Sequence, residues 1–221
     1  MDTRGLTRAA QAAATIRACI IDGEFLSGER LIELTLAQRL QVSQITIRDA
    51  LRELEQQGWV VRRARRGVYV RGFDHASAAD LFALYVAVGG LVLDGLAAAS
   101  ARRALLREGR QHVEAARRLS ASGARAAAIA ALFDAHAALG EASGRALSAQ
   151  ILGSLVNQAR LLEAVRQARI PGTLGEMQLM LERHDALLAA LEQGDAPAAR
   201  AHLHEIIGGY SASVDAALHV P

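Results

Sequence analysis

The chain has 221 residues, 52% of them hydrophobic and 22% charged, with one cysteine and a formal charge of +2. That length and apolar content allow one large domain or two small ones with proper cores and exclude a disordered chain. A single cysteine excludes an internal disulfide framework and any multi-cysteine zinc site, so Cys19 reads as a small core residue.

Charge is unevenly distributed. All 25 basic side chains are arginine; residues 1–72 hold 12 of them against 8 acids, and residues 73–221 hold 13 against 15. A basic head on a slightly acidic remainder fits a nucleic-acid-binding module joined to something else. The first thirty residues carry Arg4, Arg8 and Arg17 without a long apolar core, which argues against a secretory signal. No stretch of about 18 apolar residues lacks charges, so no membrane span is expected and the cytoplasm is the expected location.

In chain order, Leu6 to Asp22 favours a helix ending before Gly23, and Glu24 to Leu34 reads as a turn into a short second helix. Thr35 and Gln38 have capping-box spacing for that helix, which carries Leu36, Ala37 and Leu40 on one face. After a turn at Gln41-Val42, Ser43 can cap a third helix running to about Gln57 and stopped by Gly58. Trp59–Val61 and Gly67–Val70 are short β-prone runs joined by the Arg-rich Arg62–Arg66, a hairpin. From Gly72 onward the pattern is helical. Ser77 and Asp80 have capping-box spacing for a helix through about Ala101, and further helices are expected over 103–121, 124–142, 145–169, 174–193 and 196–217. Their punctuation is Ser122-Gly123, Ser143-Gly144, Pro171-Gly172 and Gly194-Asp195. Gly89-Gly90 and Gly95 inside the first long helix point to close helix–helix approach and to a seam for dimerisation. The expected fold is mainly α: a winged helix-turn-helix over 1–72 and an antiparallel bundle of about six helices over 77–218.

The third helix carries the functional signal. Ile47, Ala50, Leu51 and Leu54 share an inward face, while Gln44, Arg48 and Arg52 lie four apart on another strip. An apolar back with an Arg/Gln strip, after a capped helix and a tight turn, suits major-groove reading. An ordinary amphipathic helix with a solvated face shows the same periodicity. Residues 16–71 resemble the DNA-binding domain of the GntR family of regulators, through Ile20–Gly23, Gly28–Glu33, Leu36-Ala37, Val42–Leu51, Leu54, Gly58 and Gly67–Val70. The resemblance implies that Arg48 contacts DNA from this helix and that the wing tip around Arg66-Gly67 enters the minor groove; Ser43, Gln44, Thr46, Arg52 and Arg65 complete the expected contact set. The family usually has Arg where this chain has Gln44, and Thr-Pro where it has Ile45-Thr46. Gln prefers adenine where Arg prefers guanine, so altered operator bases are expected.

Residues 77–210 resemble the helical effector domain (FCD) of the FadR-like branch, through His136 with Gly144 eight residues on, and through Glu182–Leu191 with Gly194-Asp195 beyond it. Many members of that branch bind a divalent metal through one Asp and three His. In this chain the Asp position is Leu132, His136 and His184 match two histidines, and the last ligand position is Ile206. Asp134 cannot replace Leu132, because two residues along a helix is a turn of about 200°. His202 shares the face of Ile206 one turn earlier, which leaves a His136/His184/His202 metal set open beside a metal-free pocket. An Arg and a Glu of the family's first sensing helix fall on Tyr85 and Gly89. The expected effector pocket is therefore Tyr85, Leu132, His136, His184, His202 and Ile206, with protonation of the histidines tuning binding near neutral pH. His112, His204 and His219 read as surface histidines.

The resulting expectation is a homodimeric repressor that binds a palindromic operator on double-stranded DNA and responds to a small-molecule effector. A ligand-independent dimeric DNA-binding protein is the alternative. A helical-bundle enzyme is disfavoured, because no nucleophile motif, P-loop or dinucleotide fingerprint accompanies the two histidines.

Overall fold

The computed structural model describes residues 7–170, 172 and 174–219. Leu6, where the first helix was expected to begin, and Pro171 of the expected punctuation lie outside the described residues. Ten helices and three strands are present among the described residues, and the fold is mainly α. Contacts divide the chain into a first unit ending at Phe73, to which Asn157–Val165 also belong, and a second unit formed by the rest.

In the first unit, α1 (Arg8–Ile21) begins where the Thr7 hydroxyl accepts from the Ala10 amide at 3.2 Å. A two-residue strand, β1 (Arg30–Leu31), follows, where the sequence pattern suggests only a turn. Helix α2 (Glu33–Leu40) starts at once, and the Leu36 amide already bonds the Ile32 carbonyl. Thr35 therefore lies inside α2 and its expected capping box does not form. The start is set by the strand before it, and Glu33 in the first turn is favourable at the positive end of the helix dipole. Gln41 turns the chain in the left-handed region at φ 54°.

Helix α3 (Gln44–Gln56) then opens on Ser43 as expected, and β2 (Val60–Arg63) and β3 (Gly67–Val70) form the wing. The sheet order is β1-β3-β2, all antiparallel, with Arg30 opposite Tyr69 and Val61 opposite Tyr69 on the other side. Ile16, Ile47, Leu51, Leu54 and Trp59 are almost wholly buried in one core, which Leu161 joins. Burying each such aliphatic side chain contributes about 1.5–3 kcal/mol, which holds α3 to its scaffold by its inner face.

The second unit is helical: α4 (His75–Ala98), a single turn α5 (Arg102–Leu105), α6 (Arg107–Ala121), α7 (Arg125–Ala142), most of α8 (Ala146–Arg169), α9 (Leu174–Gln193) and α10 (Ala196–Leu218). Six long helices match the expected number, with two local corrections. The capping box of α4 is Asp74 with Ser77, not Ser77 with Asp80. The Asp74 carboxylate accepts from the Ser77 amide at 2.8 Å and the Ser77 hydroxyl accepts from the Asp74 amide at 3.0 Å. Asp is the better acceptor and satisfies the orphan donor three residues earlier. The helix expected over 103–121 breaks at Leu106, which becomes fully buried while Arg102 donates to the carbonyls of Glu192 and Ala99.

The glycines of α4 serve the bundle itself. A Cβ on Gly89 would lie 2.7 Å from Leu203 Cδ2 of α10, and one on Gly90 would lie 3.4 Å from Arg200. Gly95 similarly faces Arg145 and Ser143. Close approach to α10 is thus the reason for Gly89 and Gly90, and to the α7–α8 connection for Gly95, within one chain rather than across a dimer seam. Phe82 and Phe133 both pack edge-on against Tyr210, with ring centroids 5.5 and 5.7 Å away. By length and composition α4 could cross a membrane, despite Asp80 and Asp94, yet half of its most apolar window is buried in the fold.

Candidate nucleic-acid interface and ligand pocket

The outer face of α3 is built from its cap. The Ser43 hydroxyl accepts from the Thr46 amide at 3.1 Å and lies 2.9 Å from the Thr46 hydroxyl, so both side chains sit at the helix N-terminus where the amides point outward. Ile47, Ala50, Leu51 and Leu54 are buried, while Gln44, Arg48 and Arg52 are exposed. Arg48 is not free in this state: its Nε donates to Glu33 Oε2 of α2 at 2.6 Å. Arg52 pairs with Asp49 at 3.2 Å. Sequence periodicity puts the arginines on the outer strip but not Glu33, which lies on another helix, whereas Asp49 precedes Arg52 by three residues within α3. It also passed over Ile45, which is 69% exposed beside Gln44.

At the wing, Arg63 stacks over the Tyr69 ring at 4.6 Å and Arg62 donates to Glu55 at 3.3 Å. Arg65 turns the tip at φ 60° and Gly67 leaves it at φ 104°, a conformation that favours glycine. The Arg65 and Arg66 side chains are exposed and have no ion-pair partner among the described residues.

Within the second unit, Tyr85, His136 and His184 come together from α4, α7 and α9. The Tyr85 hydroxyl and His136 Nδ1 share a buried hydrogen bond of 2.6 Å. The His136 and His184 rings lie 5.1 Å apart, tilted by 33°. His184 Nδ1 donates to the Met180 carbonyl at 2.7 Å. Burial, the dominant effect, pushes its pKa down from 6.5 to about 4. His184 is thus neutral around pH 7, which corrects the expectation that its protonation tunes binding there.

Tyr85 and His136 line a cavity of about 10 Å³, walled by Gly89, Leu139, Leu187 and Leu203 among others. That is room for about one water. Leu132, His184 and Ile206, expected in the pocket, are buried but are not in its wall. His202 is also outside it, a half-buried side chain 3.7 Å from Glu205.

Comparison with known proteins gives this geometry its context. The model described as "Bacterial regulatory proteins, gntR family" matches residues 8–70, and the FCD domain model matches residues 80–209. The chain belongs to the gntR family. A gntR-type transcriptional regulator from Rhodococcus sp. RHA1 is 24% identical over 95% of this chain and 98% of its own, with a TM-score of 0.73. E. coli McbR/YncC is 19% identical over 95% and 97%, with a TM-score of 0.74. The Listeria monocytogenes regulator Lar is 14% identical over 95% and 97%, with a TM-score of 0.62. At these identities the likeness is one of fold. No curated protein sequence matches the chain.

As a gntR-family regulator with an FCD domain, the protein would be expected to place a divalent metal at the interior histidines. The residues do not fit it. Only two imidazoles are present, Leu132 and Ile206 offer no donor atom, and the apolar cavity has no room for the waters that would complete a coordination shell. Tyr85 instead holds His136 by hydrogen bonding, in the place where charged residues were expected from the family.

Proposed function

We propose that this gntR-family regulator is a cytoplasmic homodimeric repressor, with residues 1–72 binding a palindromic operator and residues 77–218 dimerising and sensing a small molecule. The observation that carries the reading is the exposed Gln44/Arg48/Arg52 strip on a helix whose opposite face is locked into the core. Ser43 and Thr46 are positioned for a phosphate at the helix start, Arg48 and Gln44 for base edges, and Ile45 for a thymine methyl. Arg65, Arg66 and Gly67 form a wing tip suited to the minor groove. The protein works by binding and has no catalytic role. One such module covers a half-site, so two copies related by a twofold axis are required, their recognition helices about 34 Å apart along the DNA. Leu84 and Leu91 on one face of α4, each nearly half exposed, support dimerisation through the helical unit.

The effector would be a compact molecule with an apolar body and one or two polar anchors for Tyr85 and His136, the polar side chains of the cavity wall. It would have to displace the leucines that close the cavity. The small size of that cavity also favours a second reading, in which the helical unit only dimerises and no effector is needed. Selecting DNA from randomised duplexes with the full chain, then measuring operator affinity by fluorescence anisotropy, tests the first reading. A single inverted repeat is expected, and failure to enrich any sequence would reject it. Effector dependence is tested by screening compounds for a shift in melting temperature and loss of operator binding, and silence across small organic acids, alcohols and lipids would favour the second reading.

A further inference from the structure

The second unit holds another cluster of metal-ligating side chains, far along the chain from the interior histidines. His75 is the first residue of α4, while Asp215 and His219 lie one turn apart at the end of α10. His75 Nδ1 donates to Asp215 Oδ1 at 2.7 Å, and His219 Nδ1 donates to the Asp215 carbonyl at 2.8 Å. Asp215 Oδ2 lies 3.8 Å from His219 Nδ1, and the two imidazole rings are 4.1 Å apart between centroids. One donor atom from each residue falls within 4.8 Å of the others.

We propose that His75, Asp215 and His219 form a transition-metal site that clamps the start of α4 to the end of α10. Three points of chemistry carry this. His75 Nδ1 and Asp215 Oδ1 share one proton, which a metal ion would displace so that both atoms become ligands, while the His219 ring is held by the Asp215 backbone carbonyl. The His219 ring lies 4.1 Å from that of His75, close enough for its imidazole to complete the ligand set. Metal–ligand distances of about 2.0–2.2 Å need only small rotations of exposed side chains from the observed spacing.

The exposure of the three residues, 45%, 61% and 67% for His75, Asp215 and His219, leaves open positions for water ligands and removes the desolvation cost that closes the interior pair to a cation. The C-terminal carbonyls of α10 add negative potential at the same place. Two imidazoles and one carboxylate suit zinc, nickel or copper and not magnesium or calcium, which prefer all-oxygen sets. The clamp would hold the residue two positions after Phe73, where the first unit ends, so metal would steady the helix that begins the effector unit. The site is independent of the effector reading above.

The test uses untagged full-length protein stripped with chelator, titrated calorimetrically with Zn²⁺ and Ni²⁺ and melted in their presence. One ion per chain is expected, with a rise in melting temperature of about 5 °C at a hundredfold excess over the dissociation constant. His75→Gln and Asp215→Asn should each weaken binding by about tenfold or more, because each removes a ligand. His136→Gln should leave it unchanged, and Mg²⁺ should produce no shift. No binding at millimolar Zn²⁺ would overturn the proposal. So would binding that survives His75→Gln and Asp215→Asn but is lost in His136→Gln, since the ion would then sit at the interior pair.

Discussion

Helix α3 and the interior histidine cluster place polar side chains in opposite ways. On α3 the apolar residues face inward and hold the helix rigidly, so Gln44, Arg48 and Arg52 project from a fixed scaffold into solvent. In the helical unit Tyr85, His136 and His184 project inward and are themselves part of the core, with exposures of 1%, 7% and 3%. An exposed charge costs little to maintain and is available to a polyanion. A buried imidazole must stay neutral and satisfied by hydrogen bonds, so it is specific but costly to disturb. The first arrangement makes binding sensitive to salt, the second makes stability sensitive to acid.

The largest expected effect lies in the buried pair. The folded-state pKa of His184, about 4, is below its ordinary 6.5. Between those values the unfolded chain takes up a proton that the folded chain refuses. The stabilisation is complete above about pH 6.5 and is lost as pH falls toward 4, amounting to about 3 kcal/mol. Denaturant unfolding at a series of pH values should show this loss, and a His184→Leu protein should lack that part of it. Parallel curves for the two proteins would mean that His184 is not responsible.

Next comes the exposed strip. Arg48→Ala should weaken operator binding by about 2 kcal/mol, or some thirtyfold, with an unchanged melting temperature. Anisotropy and calorimetry on the same preparations separate the two quantities, and unaltered affinity would remove Arg48 from the base-reading set.

A smaller effect, of about 1 kcal/mol, is expected for Gly89→Ala, whose new methyl group would force Leu203 to move. The melting temperature should drop by about 2–4 °C. If stability rises instead, the α4–α10 contact is looser than its geometry implies.

The smallest effects concern charges outside the core. Arg65→Ala and Arg66→Ala should each lower the slope of log affinity against log salt by about 1. Glu33→Gln, by removing the carboxylate that holds Arg48, should raise operator affinity by less than about 1 kcal/mol, as expected for a half-exposed ion pair. Affinities measured across a salt series would check all three variants, and an unchanged slope for both wing variants would take the tip away from the phosphates.

What could be read from the chain alone was local. The Ser43 cap, the extent of α3, the β2–β3 wing, the end of α6 and the boundaries from α7 to α10 follow from signals within a few residues: a capping hydroxyl, a glycine stop, an apolar period. Helix propensity and capping act over one turn, so they survive in any context that buries the right face. Even there, competition decided two starts. Asp74 displaced Ser77 as cap, and the short β1 brought α2 forward past Thr35. Tertiary structure alone decided which distant residues meet. Glu33 reaches Arg48 from another helix, and Leu203 fills the space above Gly89. Tyr85 lies against His136, and His75 against Asp215 at a sequence separation of 140 residues. Those pairings depend on how helices cross and on what each side chain displaces, and no periodicity along a single helix contains that information.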